Sequence, residues 1–377
     1  MNALSLTLNR ILALAHKEVH HVLRDVRTLY IALAMPVVML LLFGFGVSFD
    51  LDHLPVSVVD LDQTTQSRSL KRRLLADDQF DDAGDLPSAA EAERALVAGR
   101  SLAAVVIERG FARELVRGEP TRVQLLLDGS DNTSAVQARN KLEVALKLLA
   151  LSGAEQAKGA RKPLVEVRTF TRFNPEGKSA VFLVPGIAAY VLAIVAVLLT
   201  ALTVAREWER GSMAQLFATP VGRFEIILGK LLPYLVLGAL AVLMVVAAGG
   251  LVFNVPFRGS ALALGVLSLL FLVGMLGQGL LISVLTRNQM VATQVATMSS
   301  MLPSMLLSGF VFPIDNMPLP LQFVSRVVPA RYYVAGLRGV LLRGNDLGEL
   351  WGEAAMLAVF GVVMLGVATL RFRRTIA

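Results

Sequence analysis

The chain of 377 residues contains no cysteine, which excludes disulfides, zinc–thiolate sites and thiol nucleophiles. It also has little charge: 17% of its residues are charged, 55% are hydrophobic, and the mean hydropathy is +0.63. This composition is too apolar for an ordinary soluble protein. The net charge of +7 does not require nucleic acid, because basic residues also collect at the cytosolic ends of membrane helices. We therefore expect a membrane protein that contacts lipids and no nucleic acid.

Six apolar runs approach the roughly 20 residues that a helix needs to cross a hydrocarbon core. They are Leu29–Val47, Val181–Val204, Leu231–Phe253, Ala261–Leu285, Met290–Phe312 and Trp351–Leu370. The centres of these runs contain no Asp, Lys or Arg. The first run is too long for the apolar region of a signal peptide, and no small-residue cleavage site follows it. We expect residues 29–49 to remain as the first of six transmembrane helices, and the remaining five to lie within residues 179–377.

Lysine and arginine predict the orientation of these helices. With the N-terminus inside, the short cytosolic segments hold twelve Lys and Arg residues and the short external loops hold five. The long segment 50–178 is not counted, because large translocated domains escape the positive-inside rule. The bias places both termini in the cytoplasm and residues 50–178 outside it.

Residues 50–178 have mixed strand and helix patterns and predict an α+β extracytoplasmic domain. Strands are expected at Pro55–Asp60, Ala103–Ile107, Val123–Leu127 and Val165–Phe170, and helices at Thr65–Leu75 and Thr133–Ala157. The acidic stretch Asp77–Pro87 is rich in turn residues and is expected to form a loop. A domain of this length can bury an adequate core without disulfides.

Two amphipathic segments flank the predicted spans. Residues 1–28 carry apolar side chains at three-to-four spacing, typical of an elbow helix lying on the inner leaflet. Residues 313–350 lie outside the membrane between the last two predicted spans. Their amphipathic part is divided by Pro318, Pro320 and Pro329, so we expect short helical pieces there.

A compact charged segment, 205–230, separates the second and third predicted spans. Met213, Leu216 and Phe217 share one helical face. Gly211 opens this short helix and Pro220 ends it. The remaining candidate contact residues are Glu207, Glu209, Arg210 and Gln215. Such a segment in the cytosol predicts docking to a soluble partner.

Few residues in the chain could carry chemistry. His16 and His20 have the i, i+4 spacing of metal ligands but lack the other features of a metalloprotease motif, and we expect no metal site. No phosphate-binding loop is present, so the chain should not hydrolyse ATP and is not expected to be an enzyme or to hold a cofactor. Polar residues within the predicted spans either line a mildly polar path or only pack helices closely. The candidates are Gln278, Gln294, Thr297 and Ser304.

The sequence of Glu209–Pro220, E-R-G-S-M-A-Q-L-F-A-T-P, resembles the coupling segment of ABC-2 type transporter permeases, E-R-G-T-x-E-x-L-x-x-T-P. Other stretches are similar to the multidrug or efflux branch of this family, which has a large periplasmic domain. These stretches are Arg172–Glu176, Phe182–Gly186, Ser308–Pro318, Arg338–Gly344, Val58–Asp60 and Leu127–Ser130. The chain departs from the usual pattern at Ser212, Ala214 and Arg331.

This resemblance implies the permease subunit of an ATP-driven exporter in a bacterial inner membrane. It implies a second permease copy or paralogue, a separate ABC ATPase that supplies the ATP and Mg site, and a periplasmic adaptor protein. An amphipathic, drug- or lipid-like substrate would fit a weakly polar path. Two alternatives stay open: an ion-coupled secondary carrier, which the lack of ionisable residues within the spans disfavours, and a membrane-anchored sensor or assembly factor acting through residues 50–178.

Overall fold

The chain folds into two units, each with its own apolar core. The computed structural model describes residues 3–46, 53–117, 122–128, 135, 138–146, 179–213, 215 and 219–372. One unit is helical and combines Met1–Ser48 with Thr171–Ala377, whereas the other comprises Phe49–Phe170 and contains a β-sheet. The predicted strand Val165–Phe170 and most of the predicted helix Thr133–Ala157 lie outside the described residues, although residues 138–146 are helical.

The helical unit begins with α1 (Ala3–Arg24), α2 (Val26–Leu29), a π-helical turn (Tyr30–Ala34) and α3 (Met35–Gly46). Asp25 separates α1 from α2, and its carboxylate accepts hydrogen bonds from the backbone N–H and the hydroxyl of Thr28. Pro36 follows the π-helical turn by two residues and has no N–H for the carbonyl of Ala32 within that turn. The predicted elbow helix is therefore a distinct element, separated from the following helices by a break at Asp25.

The second unit consists of four strands with helices between them. In chain order the elements are β1 (Leu54–Asp60), α4 (Thr65–Leu74), β2 (Phe80–Asp85), α5 (Ala89–Val97), β3 (Ala103–Ile107), α6 (Phe111–Arg117) and β4 (Val123–Leu127). The strand order is β2-β1-β3-β4. β1 is parallel to both neighbours, and β4 is antiparallel to β3. Right-handed crossover helices are the usual way to join such parallel strands.

Both faces of this sheet are covered. Val58 and Val105 face one apolar cluster, and Val59 and Val106 face another. All residues of β3 are buried, as expected for a central strand whose run of Ala, Val and Ile has no polar positions. The predicted strands at Pro55–Asp60, Ala103–Ile107 and Val123–Leu127 and the predicted helix at Thr65–Leu75 are confirmed.

The loop predicted for Asp77–Pro87 is wrong, because Phe80–Asp85 forms the edge strand β2. Only Phe80 of this strand is buried, so its sequence lacks the apolar alternation of a core strand. β1 supplies the hydrogen-bonding partner, and the register shifts near Gly84, which has a φ of +103°. Acidic side chains on an edge strand also discourage pairing with other chains.

Seven further α-helices complete the helical unit among the described residues. They are α7 (Ser179–Glu209), α8 (Arg223–Phe253), α9 (Ala261–Thr286), α10 (Gln289–Leu306), α11 (Leu319–Ser325), α12 (Pro329–Arg338) and α13 (Trp351–Arg371). Four helices in the described part of the chain are long and apolar enough to cross a membrane: α7, α8, α9 and α13. The segment Tyr30–Gly46 is apolar but shorter. The chain is thus mostly helical and has the composition of a polytopic membrane protein.

α7 is the central helix of this unit. Its apolar part is mostly buried, whereas the matching part of α13 is mostly exposed. Contact with α9 is close at Gly279, where a Cβ atom would overlap the carbonyl oxygen of Val197 and the hydroxyl of Thr200. The Thr200 hydroxyl donates a hydrogen bond to the Leu276 carbonyl at 2.7 Å. The absence of a side chain at Gly279 therefore lets α7 and α9 pack closely at this point.

The segment after α10 is broken as its prolines predict. Pro318 precedes α11, and Pro329 is the first residue of α12. Proline is tolerated at the first helical position because the N–H that it lacks would have no partner within the helix. α12 continues into a π-helical turn, Gly339–Arg343. Tyr333 is fully buried, stacks on Phe271 with the ring centroids 4.0 Å apart, and shares a hydrogen bond of 2.9 Å with Ser268.

Candidate coupling site

α7 continues beyond its apolar part into the charged residues Arg206–Glu209. The backbone N–H groups of Arg210 and Gly211 still bond to carbonyls of the preceding turn. The chain then leaves the helical conformation at Gly211, whose φ is +72°. A left-handed conformation favours glycine there. Met213 and Gln215 are helical, whereas Leu216 and Phe217 lie outside the described residues. Of the predicted coupling segment 205–230, the structure therefore describes all residues except 214 and 216–218.

A buried lysine joins three helices at this charged end of the helical unit. The Nζ of Lys230 on α8 lies 2.7 Å from Oε1 of Glu18 on α1 and 2.8 Å from Oε2 of Glu207 on α7. Lys230 and Glu18 are 3% and 6% exposed. Buried charges are tolerated when they are paired with good geometry, and the lysine has a carboxylate on two sides.

Further ion pairs surround this cluster and tie α1 to the same end. Lys17 lies 3.4 Å from Oε1 of Glu207, and Arg206 lies 3.1 Å from Oδ2 of Asp25. Burial alone would raise the pKa of Asp25, but hydrogen bonds from Thr28 and the Arg206 guanidinium outweigh burial and lower that pKa. Hydrogen bonds from Thr28 and the positive charge of Arg206 therefore favour the ionised form of the Asp25 carboxylate.

A second set of contacts joins the end of α7 to the first residue of α10 and to the loop before it. Oε1 of Glu209 accepts a hydrogen bond from the backbone N–H of Gln289 at 2.7 Å, and its other oxygen accepts one from the Gln289 side-chain amide. The Arg287 guanidinium lies 4.3 Å from the centre of the Trp208 ring. An acidic side chain at the N-terminus of α10 is favoured by the helix dipole. Glu209 thus acts as a fixed link between two helices.

The helical spacing predicts that Met213 shares an exposed docking face with Leu216 and Phe217. In the structure Met213 is buried. It is 1% exposed and packs within the chain, in a cluster of apolar side chains from α7, α8, α9 and the end of α13. The cluster comprises Val204, Ile226, Ile227, Leu280, Val284, Ala368 and Phe372. A three-to-four spacing defines an apolar face but not the surface that covers it, and here helices of the same chain cover Met213.

The predicted coupling residues that the structure describes therefore divide into two sets. Glu207 and Met213 point into the protein, and Glu209 holds Gln289. Another set is exposed at the charged end of the unit: Arg210, Gly211, Gln215, Pro220 and, despite its hydrogen bonds to Gln289, Glu209. The inward set anchors the segment, and the exposed set is available to a partner.

The polar residues predicted to line a path also fall into two groups. Gln278 donates a hydrogen bond to the Ser299 hydroxyl at 3.2 Å, the Thr297 hydroxyl donates to the Thr293 carbonyl at 2.9 Å, and Ser304 is buried. Gln278 bridges α9 and α10, Ser304 lies on the buried side of α10, and the Thr297 hydroxyl is satisfied within its own helix. Gln294 is exposed on α10 and is the member of the predicted set that faces away from the unit.

Sequence reasoning missed the partners that hold the site together. Glu18 lies on the amphipathic α1 and Lys230 at the start of an apolar run, and nothing local in either sequence indicates their contact across 212 positions. A lysine bordering an apolar run signals a need for a partner, but it does not identify the carboxylate. His16 and His20 stack edge to face at 4.5 Å, and within the described residues no group of His, Asp and Glu is placed to hold a metal ion.

A mostly helical unit with four membrane-length apolar helices and a charged cluster at one end defines a polytopic membrane protein. The sequence profile of the ABC-2 family transporter proteins matches residues 26–370. The chain belongs to the ABC-2 transporter family, and its role is that of an ABC transporter permease.

Named relatives align over nearly the whole chain. The Escherichia coli K12 protein named Probable multidrug ABC transporter permease YbhS is 35% identical over 370 residues, covering 98% of each chain. Probable multidrug ABC transporter permease YbhR of the same strain is 28% identical, covering 98% of this chain and 99% of that one. Linearmycin resistance permease protein LnrN of Bacillus subtilis strain 168 is 24% identical, covering 94% and 97%.

Proposed function

We propose that this chain is the membrane-spanning subunit of an ATP-driven exporter in a bacterial inner membrane. It would cross the membrane six times, with both termini and the segment 205–230 in the cytoplasm and residues 50–178 in the periplasm. The observation that carries this proposal is the anchoring of the exposed coupling residues. They follow directly on Glu207, which the buried Lys230 joins to α1.

Two of the six proposed spans are α3 and α10, which fall outside the four longest apolar helices. For α10, the hydroxyls of Thr293, Thr297 and Ser300 each donate to a carbonyl one turn earlier. Such internal bonds allow a hydroxyl-rich helix to lie in lipid. The buried positions of α10 are Ala292, Ala296, Ser300 and Ser304, a stripe of small residues that favours close helix packing.

The coupling mechanism follows from the connectivity of the charged end. An ABC ATPase, holding ATP and Mg, would contact the exposed residues between Arg210 and Pro220. Its closure would push on the end of α7. The Lys230 cluster would carry that displacement to α1 and α8, because its buried charges depend on one another. The hydrogen bonds from Gln289 to Glu209 would carry it to α10. Two arrangements of the helices then give inward- and outward-facing states.

A second permease copy or paralogue would complete the pathway. The exposed side of α10 carries Gln294 among apolar residues such as Val291 and Met298. A glutamine facing lipid tails leaves polar groups unsatisfied, whereas a partner helix or a mildly polar path would accommodate it. An amphipathic, drug- or lipid-like substrate suits such a path, and a periplasmic adaptor protein would engage residues 50–178.

Co-purification with the ATPase tests the coupling assignment. We expect replacement of Leu216 and Phe217 by Asp to abolish association with the ATPase and stimulation of its activity. Val97→Asp is the matched control, because Val97 is 90% exposed in the sheet unit and should leave both unchanged. Undiminished association and stimulation in the coupling variant would contradict the proposal. Transport that survives loss of the ATPase but collapses with the proton gradient would instead indicate a secondary carrier.

A further inference from the structure

A cavity of about 440 Å³ lies beside the charged cluster, within the helical unit. Its wall is formed by α1, the start of the first apolar helix, α7, Tyr234 of α8 and Thr293 of α10. The volume is within the range of small-molecule sites in proteins. The cavity is lined both by the apolar part of α7 and by its charged end. It therefore extends from an apolar environment to a charged one.

The wall of this cavity has an apolar zone and a charged zone. Leu198, Leu199 and Leu202 line it along the apolar part of α7, and Arg206 and Arg210 line it at the charged end. With a rise of 1.5 Å per residue, Leu198 and Arg206 lie about 12 Å apart along the helix. A ligand that fills the cavity would therefore need an apolar body with a polar group at one end.

The charges in the wall select the sign of that polar group. Glu18 and Glu207 also line the cavity, but both are paired with Lys230 at 2.7 and 2.8 Å. Arg210 is exposed and has no carboxylate partner within the described residues. Arg206 uses one N–H group on Asp25, and a guanidinium carries five. The acceptors at the mouth are occupied, whereas donors remain for an incoming anion.

We propose that this cavity binds an anionic amphiphile. Its alkyl chain would lie along Leu198, Leu199 and Leu202, and its phosphate or carboxylate would accept hydrogen bonds from Arg206 and Arg210. A cationic amphiphile would find its acidic partners, Glu18 and Glu207, already paired with Lys230 and Lys17. The ligand has the same chemistry whether it is an anionic phospholipid of the inner leaflet or a soluble single-chain amphiphile.

The proposal concerns binding and does not depend on coupling to an ATPase. Arg210 is both a cavity residue and an exposed residue of the coupling segment, so a bound ligand would also contact the docking surface. Binding is measured on the permease alone. A negative result therefore leaves the coupling proposal standing, and failure of coupling leaves the binding result unaffected.

Native mass spectrometry of the full-length permease in a neutral detergent tests the proposal. The probes are phosphatidylglycerol, phosphatidylcholine, dodecyl phosphate, dodecyltrimethylammonium and inorganic phosphate. We expect dodecyl phosphate or phosphatidylglycerol to bind more tightly than the zwitterionic and cationic probes. Preference for the single-chain probe would indicate a soluble source, and preference for the phospholipid would indicate the leaflet.

Three variants assign the binding to this cavity. We expect Arg210→Gln to weaken binding of the anionic probe about tenfold, the usual worth of one charge-assisted hydrogen bond. Leu202→Trp, which fills the apolar zone, should also weaken it. Arg223→Gln is the matched control, since Arg223 is exposed on α8 and does not line the cavity.

Several outcomes would overturn the assignment. Equal losses in Arg210→Gln and Arg223→Gln would mean that only the general positive charge attracts the probe. Inorganic phosphate binding as tightly as dodecyl phosphate would mean that the leucine wall contributes nothing. A preference for dodecyltrimethylammonium would reverse the inferred sign of the site.

Discussion

The Nζ of Lys230 lies 2.7 Å from Oε1 of Glu18, although 212 positions separate the two residues in the sequence. This contact fixes the amphipathic α1 to the first turns of α8, and Glu207 adds α7 to the same lysine at 2.8 Å. Because all three groups are largely withdrawn from water, each charge depends on the others. The cluster is therefore both a structural tie and a vulnerable point of the helical unit.

Replacing Lys230 by Met should strongly destabilise the permease. The change leaves Glu18 and Glu207 buried beside each other without their cation, a situation that costs about 3–5 kcal/mol. The apparent melting temperature of the purified protein in neutral detergent should fall markedly. Adding Glu18→Gln and Glu207→Gln to Lys230→Met should recover part of the loss, since the uncompensated charges are then removed.

Lys17→Met provides the comparison within the same cluster. The Lys17 side chain is 61% exposed and lies 3.4 Å from Glu207, and exposed pairs contribute about 0–1 kcal/mol. We expect little change in melting temperature. An effect as large as that of Lys230→Met would show that burial does not set the energetics of this cluster.

Gly279 and Gly265 on α9 offer a second matched pair. A Cβ atom at Gly279 would overlap Val197 and Thr200 of α7, whereas at Gly265 it would meet nothing within 4 Å. Gly279→Ala should destabilise the helical unit by about 1–3 kcal/mol through overpacking. Gly265→Ala should leave the melting temperature nearly unchanged. Equal behaviour of the two variants would contradict the close approach of α7 and α9.

Much of this architecture follows from local sequence. The run Val181–Val204 predicts α7 because an apolar stretch of that length has no charge at its centre, and the β-branched run Ala103–Ile107 predicts a buried strand. Pro318 and Pro329 mark the starts of α11 and α12, since proline tolerates the first helical turn and little else. These signals act through residues close together in the chain.

The features that the sequence did not predict depend on residues that are distant in the chain. Phe80–Asp85 forms a strand because β1 offers an open edge for pairing. The acidic sequence of this segment does not indicate that pairing. Met213 turns inward because Ile226, Leu280 and Phe372 meet around it. The pairing of Lys230 with Glu18 likewise exists only after α1 has packed on α8. For the coupling segment, the sequence predicts an amphipathic element, and tertiary packing decides which of its residues remain exposed.

The sheet unit should lose stability in acid through Asp62. Its carboxylate accepts hydrogen bonds from the backbone N–H groups of Gly110 at 2.7 Å and Ala112 at 3.1 Å, at the start of α6. Burial alone raises its pKa, but bonds from Thr64, Ala112 and Gly110 outweigh burial and lower that pKa below 3.8. The stabilisation is thus present above about 3.8, the ordinary pKa, and is lost as the pH falls through the lowered value.

Hydrogen exchange of α6 amides in the full-length protein, followed from pH 6 to pH 3, measures this loss. After correction for intrinsic exchange, protection of α6 should decline toward pH 3 in the wild type. Asp62→Asn should show weaker protection at pH 6 and little further decline. Asp78→Asn, at an exposed carboxylate, should retain the wild-type profile. An unchanged profile in Asp62→Asn would exclude Asp62 as the source of the pH dependence.

Met213 separates an anchoring role from a docking role within the coupling segment. Because its side chain is 1% exposed among apolar neighbours of four helices, Met213→Ala should destabilise the permease by about 2–5 kcal/mol, the usual range for a buried methionine. Met290→Ala is the control, since Met290 is 75% exposed on α10 and should change stability little. A residue used only to contact the ATPase would leave the melting temperature of the isolated permease unchanged. A wild-type melting temperature for Met213→Ala, combined with weaker ATPase association, would therefore assign Met213 to the docking surface rather than to the core that supports it.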